Sequence, residues 1–182
     1  MAYEQIAVGK DGHVATVELR RGPNNHVNVP MIAEIGEAFE SFDRDPTIRA
    51  IVLCSDGKHF SAGADLVTRG PDGREINVGR RHLYKEAIRL VRTGKPIVAA
   101  VHGAAVGAGL GLALVADFRV TCSEARFSAN FTRLGFHPGF GLTCTLPRLL
   151  GPTKAALLMY TGRRVPGEEA VAMGLADLLV PL

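Results

Sequence analysis

The sequence predicts an α/β domain. Three observations carry that reading. β-Branched or alternating segments recur along the chain, at Gln5 to Val8, His13 to Leu19, Ile48 to Cys54, Ile97 to Val101 and Phe118 to Cys122. Stretches with apolar residues at helical spacing lie between them. One strand also runs directly into a helix through a glycine-rich turn, between Lys95 and Gly111. No sequence repeat and no low-complexity tract interrupts this alternation.

The elements follow in order. The first two strands read as a hairpin, with Lys10-Asp11-Gly12 as its turn. Gly22 to His26 is a loop. Pro30 opens a helix whose apolar face is Ile32, Ile35, Phe39 and Phe42, and Asp45-Pro46 ends it. Ile48 to Cys54 is a buried strand, closed by a turn at Ser55-Asp56-Gly57. Residues 67 to 79, with Gly70, Pro71, Gly73 and Gly79, read as a surface loop. A helix is predicted from about Arg80 to Thr93, with Leu83, Tyr84, Ala87, Ile88 and Val91 as its apolar set. Helices are also predicted over Gly109 to Val115, Leu142 to Leu150, Thr153 to Tyr160 and Gly167 to Met173. The last strand lies near Leu178 to Val180.

Bulk properties narrow the function classes. The 182 residues fit one domain spanning 1–182, and 47% hydrophobic residues supply a core. A net charge of +3 and the absence of Trp argue against a nucleic-acid partner. Cys54, Cys122 and Cys144 are scattered among apolar neighbours and read as free thiols in a reducing compartment. No CxxC pair suggests a metal, and none is expected. Met1 to Gln5 lack a signal-peptide pattern, so a cytoplasmic location is expected. Ile97 to Ala116 is long and apolar enough to suggest a membrane span. It contains His102 and four glycines, however, and reads better as strand, glycine turn and buried helix.

The glycine turn carries chemistry. The first turn of a helix leaves N–H groups without partners, and the helix dipole makes that end positive. Such an end suits an anion or a developing oxyanion. A dinucleotide fingerprint fails on spacing, because its third glycine falls on Leu112. Tight strand–helix packing without a ligand is the alternative. A second segment, Phe60-Ser61-Ala62-Gly63-Ala64-Asp65-Leu66, has small residues that let its backbone approach a ligand closely. A plain turn is the alternative there.

Together these segments resemble the crotonase (enoyl-CoA hydratase/isomerase) superfamily. Phe60 to Leu66 is similar to its F-x-A-G-A-D-[IL] motif. Lys95 to Gly103 with Gly107-Ala108-Gly109 is similar to its K-P-x-I-A-A segment and glycine triplet. Asn28 matches the asparagine of its N-A-L loop. Leu134-Gly135, Pro138-Gly139-Phe140-Gly141, and Tyr160 to Asp177 match later segments in the same order. The resemblance implies a crotonase-like spiral of ββα turns and coenzyme A thioester substrates, in fatty acid metabolism. Coenzyme A then enters as part of the acyl-CoA substrate, with no tightly bound cofactor. The resemblance places two oxyanion-hole donors on the N–H groups of Ala64 and Ala108. Around them it implies a substrate groove of His26, Val27, Ala62, Gly63, Asp65, Leu66, Ala104, Gly107, Phe131 and Leu134. It also implies a homotrimer or a dimer of trimers. Members continue into C-terminal helices, and that helical segment is expected to be absent from this chain, which ends at Pro181-Leu182.

The sequence departs from the pattern at the acid–base residues. Hydratases of the family use two glutamates, and those positions hold Gly111 and Phe131 here. Some members place an acid at or just before the Pro-Gly pair, which is Pro138-Gly139 here. His137, directly before it, is the candidate catalytic residue, with a structural turn role as the alternative. Eight basic residues against three acidic ones between Arg69 and Lys95 suggest either a solvated face or attraction of the coenzyme A phosphates. Arg81, Lys85, Arg89 and Arg92 fall on one helix face there. The expected function is thioester processing through an oxyanion-stabilised enolate, as a lyase or isomerase. A non-catalytic acyl-CoA binding protein and a ligand-free structural subunit are the alternatives.

Overall fold

The computed structural model describes residues 3–66 and 82–182. β1 (Ile6–Asp11) and β2 (Val14–Leu19) form the antiparallel hairpin. Its turn is shorter than expected. Lys10 and Asp11 stay in register with Ala15 and Val14, and Gly12, at φ +54°, and His13 make the reversal.

α1 (Val29–Arg44) begins one residue before Pro30. Asn28 caps it, its side-chain oxygen accepting from the Met31 N–H at 2.9 Å. Ile32, Ile35 and Phe39 are fully buried beneath the sheet, as their spacing predicted. β3 (Ala50–Ser55), β4 (Ile97–Val101), β6 (Phe118–Thr121) and β9 (Leu178–Leu179) add in parallel, giving the order β1-β2-β3-β4-β6-β9. Their inward residues Leu53, Ala99 and Val101 are buried.

A second layer was not foreseen from the sequence. β5 (Ala104–Val106), β7 (Arg126–Ser128) and β8 (Val165–Pro166) form a three-stranded sheet in the order β5-β7-β8. Isolated parallel bridges extend it, Ser61 to Ala105 and Val27 to Ala64. Three strands of the large sheet are thus each followed by a short extended piece in the small one and then by a helix. β3 leads to 61–64, β4 to β5 and α3 (Ala108–Ala113), and β6 to β7. This is the expected ββα spiral. The short strands escaped sequence reading because two or three residues carry no detectable period.

α2 (Leu83–Leu90) starts at a His82 cap, later than Arg80. Arg80, Arg81 and the loop expected at 67–79 lie outside the described residues. The apolar face of α2 needs correction. Leu83, Glu86 and Leu90 are its buried residues, while Tyr84, Ile88 and Val91 are exposed. Buried Glu86 turns the helix because Arg89 pairs with it at 2.5 Å and with Glu40 at 2.7 Å. That network overrides the apolar spacing, and it commits Arg89 of the basic stripe to a structural role. A short 3-10 helix at Asn130–Leu134 precedes α4 (Leu142–Leu150), α5 (Pro152–Thr161) and α6 (Gly167–Met173).

Candidate active site

The site forms where the pieces after β3 and β4 run side by side. Ser61 N–H donates to Ala104 O at 2.9 Å, and Val106 N–H donates to Ser61 O at 3.0 Å. Glycines permit this closeness. A Cβ on Gly63, at φ +108°, would lie 3.0 Å from Val106 O. A Cβ on Gly109 would lie 2.7 Å from the Ser61 hydroxyl oxygen. Gly107, at φ +54° and ψ −116°, adopts a turn closed to L side chains and starts α3.

Two backbone donors result. Val27 N–H donates to Gly63 O and Asp65 N–H donates to Val27 O, both at 2.8 Å. In this parallel bridge Ala64 lies between the bonded residues, so its own N–H turns away from Val27. Ala108 is the first residue of α3, after Gly107 has bonded to Ser128 O at 2.8 Å. Neither the Ala64 nor the Ala108 N–H has an acceptor among the described residues. Both alanines line one cavity of about 340 Å³.

The same cavity takes in His26, Ala62, Gly63, Asp65, Leu66, Gly107, Phe131 and Leu134 of the residues singled out by sequence. Others are placed elsewhere. Val27 is buried in the core, where its backbone serves the bridge. Ala104 lies in β5 outside the cavity lining, its N–H donating to His59 Nδ1 at 3.2 Å. His137 is exposed and does not line the cavity, because the chain from Gly135 to Pro138 runs over the surface. His102 ties down a turn through Gly57 O at 3.0 Å, and Asp117 accepts from the Ile97 N–H at 2.8 Å to anchor β4.

Sequence reasoning missed a polar scaffold beneath the site. Arg21 donates to His26 O at 2.7 Å and to the Asp65 carboxylate at 2.6 Å. Asn25, fully buried at φ +48°, donates to Asp56 O and His59 O and accepts from the Arg21 N–H. Ser61 donates its hydroxyl to Asn25 O at 2.7 Å. These bonds fix the 21–27 loop against 56–65. The Asx-rich Asn24-Asn25 pair was the available sequence signal. The His26 Nδ1 atom is buried with no hydrogen-bond partner among the described residues.

The far wall is aromatic. Leu83, Tyr84, Phe136 and Phe140 join Phe131 and Leu134 there, with Asn130 as a polar member. The Phe131 ring spans between Gly107 and Gly139, lying 3.7 Å and 3.4 Å from the points where their Cβ atoms would be. Gly111 does not reach this cavity. It lines a second one of about 300 Å³, with Ala87, Ile88, Val91 and Leu114. Tyr84 and Phe140 belong to both linings and form the partition. No described helix is long and apolar enough to cross a membrane. Ile97 to Ala116 is divided among β4, β5 and α3.

Known proteins resemble this chain over nearly its whole length. A family model described as enoyl-CoA hydratase/isomerase matches residues 9–182. A probable enoyl-CoA hydratase of Mycobacterium tuberculosis, EchA14, is 38% identical over 176 residues, covering 96% of this chain and 69% of its own. A crotonyl-CoA hydratase of Syntrophomonas wolfei is 35% identical over 99% of this chain and 70% of its own. The crystal structure of an enoyl-CoA hydratase subunit I from Geobacillus kaustophilus superposes with a TM-score of 0.88 at 36% identity, over 98% of this chain and 70% of that one.

Proposed function

This chain belongs to the enoyl-CoA hydratase/isomerase family, and on that premise we propose that its cavity holds an acyl-CoA thioester, the carbonyl oxygen lying between the N–H groups of Ala64 and Ala108. One observation carries the reading: the two backbone N–H groups without acceptors among the described residues belong to alanines that line one cavity. Drawing electrons from the α-carbon onto a thioester makes an enolate, whose charge gathers on that oxygen. Preset donors in a water-poor cavity stabilise it by about 3 kcal/mol each. Backbone donors do not depend on side-chain identity, so Ala108 supplies what a glycine would.

His26, Ala62, Asp65 and Leu66 form the arm-binding side of the groove in this reading. Phe131, Leu134 and Phe140 enclose the acyl group. The resemblance puts the two glutamates of hydratases at Gly111 and Phe131, and neither is a carboxylate. Hydration of crotonyl-CoA is then orders of magnitude slower than in hydratases that keep both, since acid–base groups contribute about 100-fold or more. Calorimetry with butyryl-CoA and crotonyl-CoA tests the reading. Micromolar binding supports it, and no binding to either removes it. A hydratase assay runs beside it, and fast hydration would show that the glutamates are placed wrongly.

The apolar wall at Phe131 and Phe140 favours a second reading, an acyl-CoA binding protein without turnover. Tight binding with no chemistry on any thioester would establish it. We further propose assembly as a homotrimer or a dimer of trimers, which light scattering checks; a stable monomer would exclude it.

A further inference from the structure

The positions where the resemblance puts an acid hold Gly111, Phe131, Pro138 and Gly139, and Tyr84 is a titratable side chain that packs against the last of them. A Cβ built on Gly139 would collide with the Tyr84 hydroxyl oxygen. The hydroxyl therefore fills the volume into which a side chain at position 139 would project. The resemblance puts an acid at or just before the Pro138-Gly139 pair in some members of the family. The nearest ring to the same point is Phe131, which also faces Gly107, the residue next to Ala108. Tyr84 thus reaches, from α2, the partition between the two cavities, and it lines the same cavity as Ala64 and Ala108.

Among the described residues, the other titratable groups lining this cavity are His26 and Asp65. Both belong to the loop pair that Arg21 binds together. Asp65 is committed to the Arg21 guanidinium at 2.6 Å.

We propose that Tyr84 is the acid–base residue of this site, moving a proton between its phenolic oxygen and the α-carbon of the bound thioester. This rests on the thioester reading above. In the enolising direction the phenol first gives its proton to solvent, and the resulting phenolate oxygen takes the α-hydrogen as a proton. The C–H electron pair becomes the C=C bond of the enolate, and the carbonyl π pair moves onto the oxygen held by Ala64 and Ala108. In the return direction the phenol delivers that proton to the α-carbon and the electrons retrace their path. While the enolate is held, the hydroxyl proton exchanges with water, so the net reaction is exchange of α-hydrogen with solvent. No further reactant is consumed.

The test uses the full chain in D2O with butyryl-CoA, α-deuterium uptake being followed by NMR and affinity by calorimetry. The wild type is expected to exchange the α-hydrogens. Tyr84→Phe, a conservative change at a residue 47% exposed, is expected to slow exchange about 100-fold while affinity changes less than about threefold. Exchange by Tyr84→Phe at the wild-type rate overturns the proposal. So does a wild type that binds butyryl-CoA and never exchanges it. Absence of binding by the wild type is a distinct outcome, because it removes the thioester reading and Tyr84 falls with it.

Discussion

Gly111 and Phe140 share one volume: a Cβ added to Gly111 would lie 2.7 Å from both Cβ and Cδ1 of Phe140. The resemblance assigns position 111 to a glutamate. In this chain an aromatic ring from the segment after Pro138 fills the space beside it. The two residues are therefore one packing unit, and changing either alone leaves a clash or a void.

This pairing predicts non-additive substitutions. Gly111→Glu alone is overpacked and costs about 3 kcal/mol. Phe140→Ala alone opens a cavity and costs about 3 kcal/mol. The double variant loses less than the sum, by about 1 kcal/mol or more, because the new side chain occupies the emptied space. Urea unfolding of all four proteins measures the coupling. Strict additivity would show that Phe140 does not exclude a side chain at 111.

The donor at residue 108 can be removed without touching a side chain the site uses. Ala108 is the first residue of α3, where proline fits because no intrahelical bond is lost. Ala108→Pro is expected to fold, to keep most of its butyryl-CoA affinity, and to lose about 100-fold in α-hydrogen exchange. Unchanged exchange would remove this N–H from the proposed oxyanion hole.

A buried cation holds the last strand. The Arg119 guanidinium donates to Leu175 O at 2.9 Å, Ala116 O at 2.7 Å and Asp177 at 2.8 Å, and it is 3% exposed. Burial pushes its pKa down, against the pull of Asp177 and Asp117. Asp177→Ala strands this charge and is expected to cost about 3 kcal/mol. Denaturant unfolding checks the value, and a loss below about 1 kcal/mol would show that the two carbonyls suffice.

Mild acid should weaken the fold through His59. Burial first, then the charges of Lys58 and His102, hold its imidazole below the ordinary value. Its Nδ1 accepts from the Ala104 N–H at 3.2 Å, at the head of β5. A depressed folded value means that the unfolded chain takes the proton first, near pH 6.5. The stability His59 contributes is complete above that pH and is lost as pH falls through the lower folded value. Thermal unfolding at pH 7.5 and 5.5 should show a larger drop for the wild type than for His59→Gln. Equal drops would exclude His59 as the source.

Much of this architecture was legible in the chain itself. Ile32, Ile35 and Phe39 announced the buried face of α1, and Pro30 announced its start. The Ala-Gly-Ala and Gly-Ala-Gly runs marked where backbone would approach backbone. Each of these signals is local, carried by residues within a turn or two of one another. The rest depended on contacts between distant segments. Arg21 meets Asp65 across 44 positions, and Arg89 meets Glu40 across 49. No periodicity encodes such pairs. His137 sits beside the expected acid position in sequence yet faces solvent, while Tyr84 reaches the same wall from another helix. The sequence by itself determined the strands of the large sheet, the α-helices and the two glycine turns, because backbone preference and apolar spacing are local. Only the tertiary structure decided which side chains share the cavity, because steric exclusion, such as Phe140 against Gly111, acts between segments that meet only after folding.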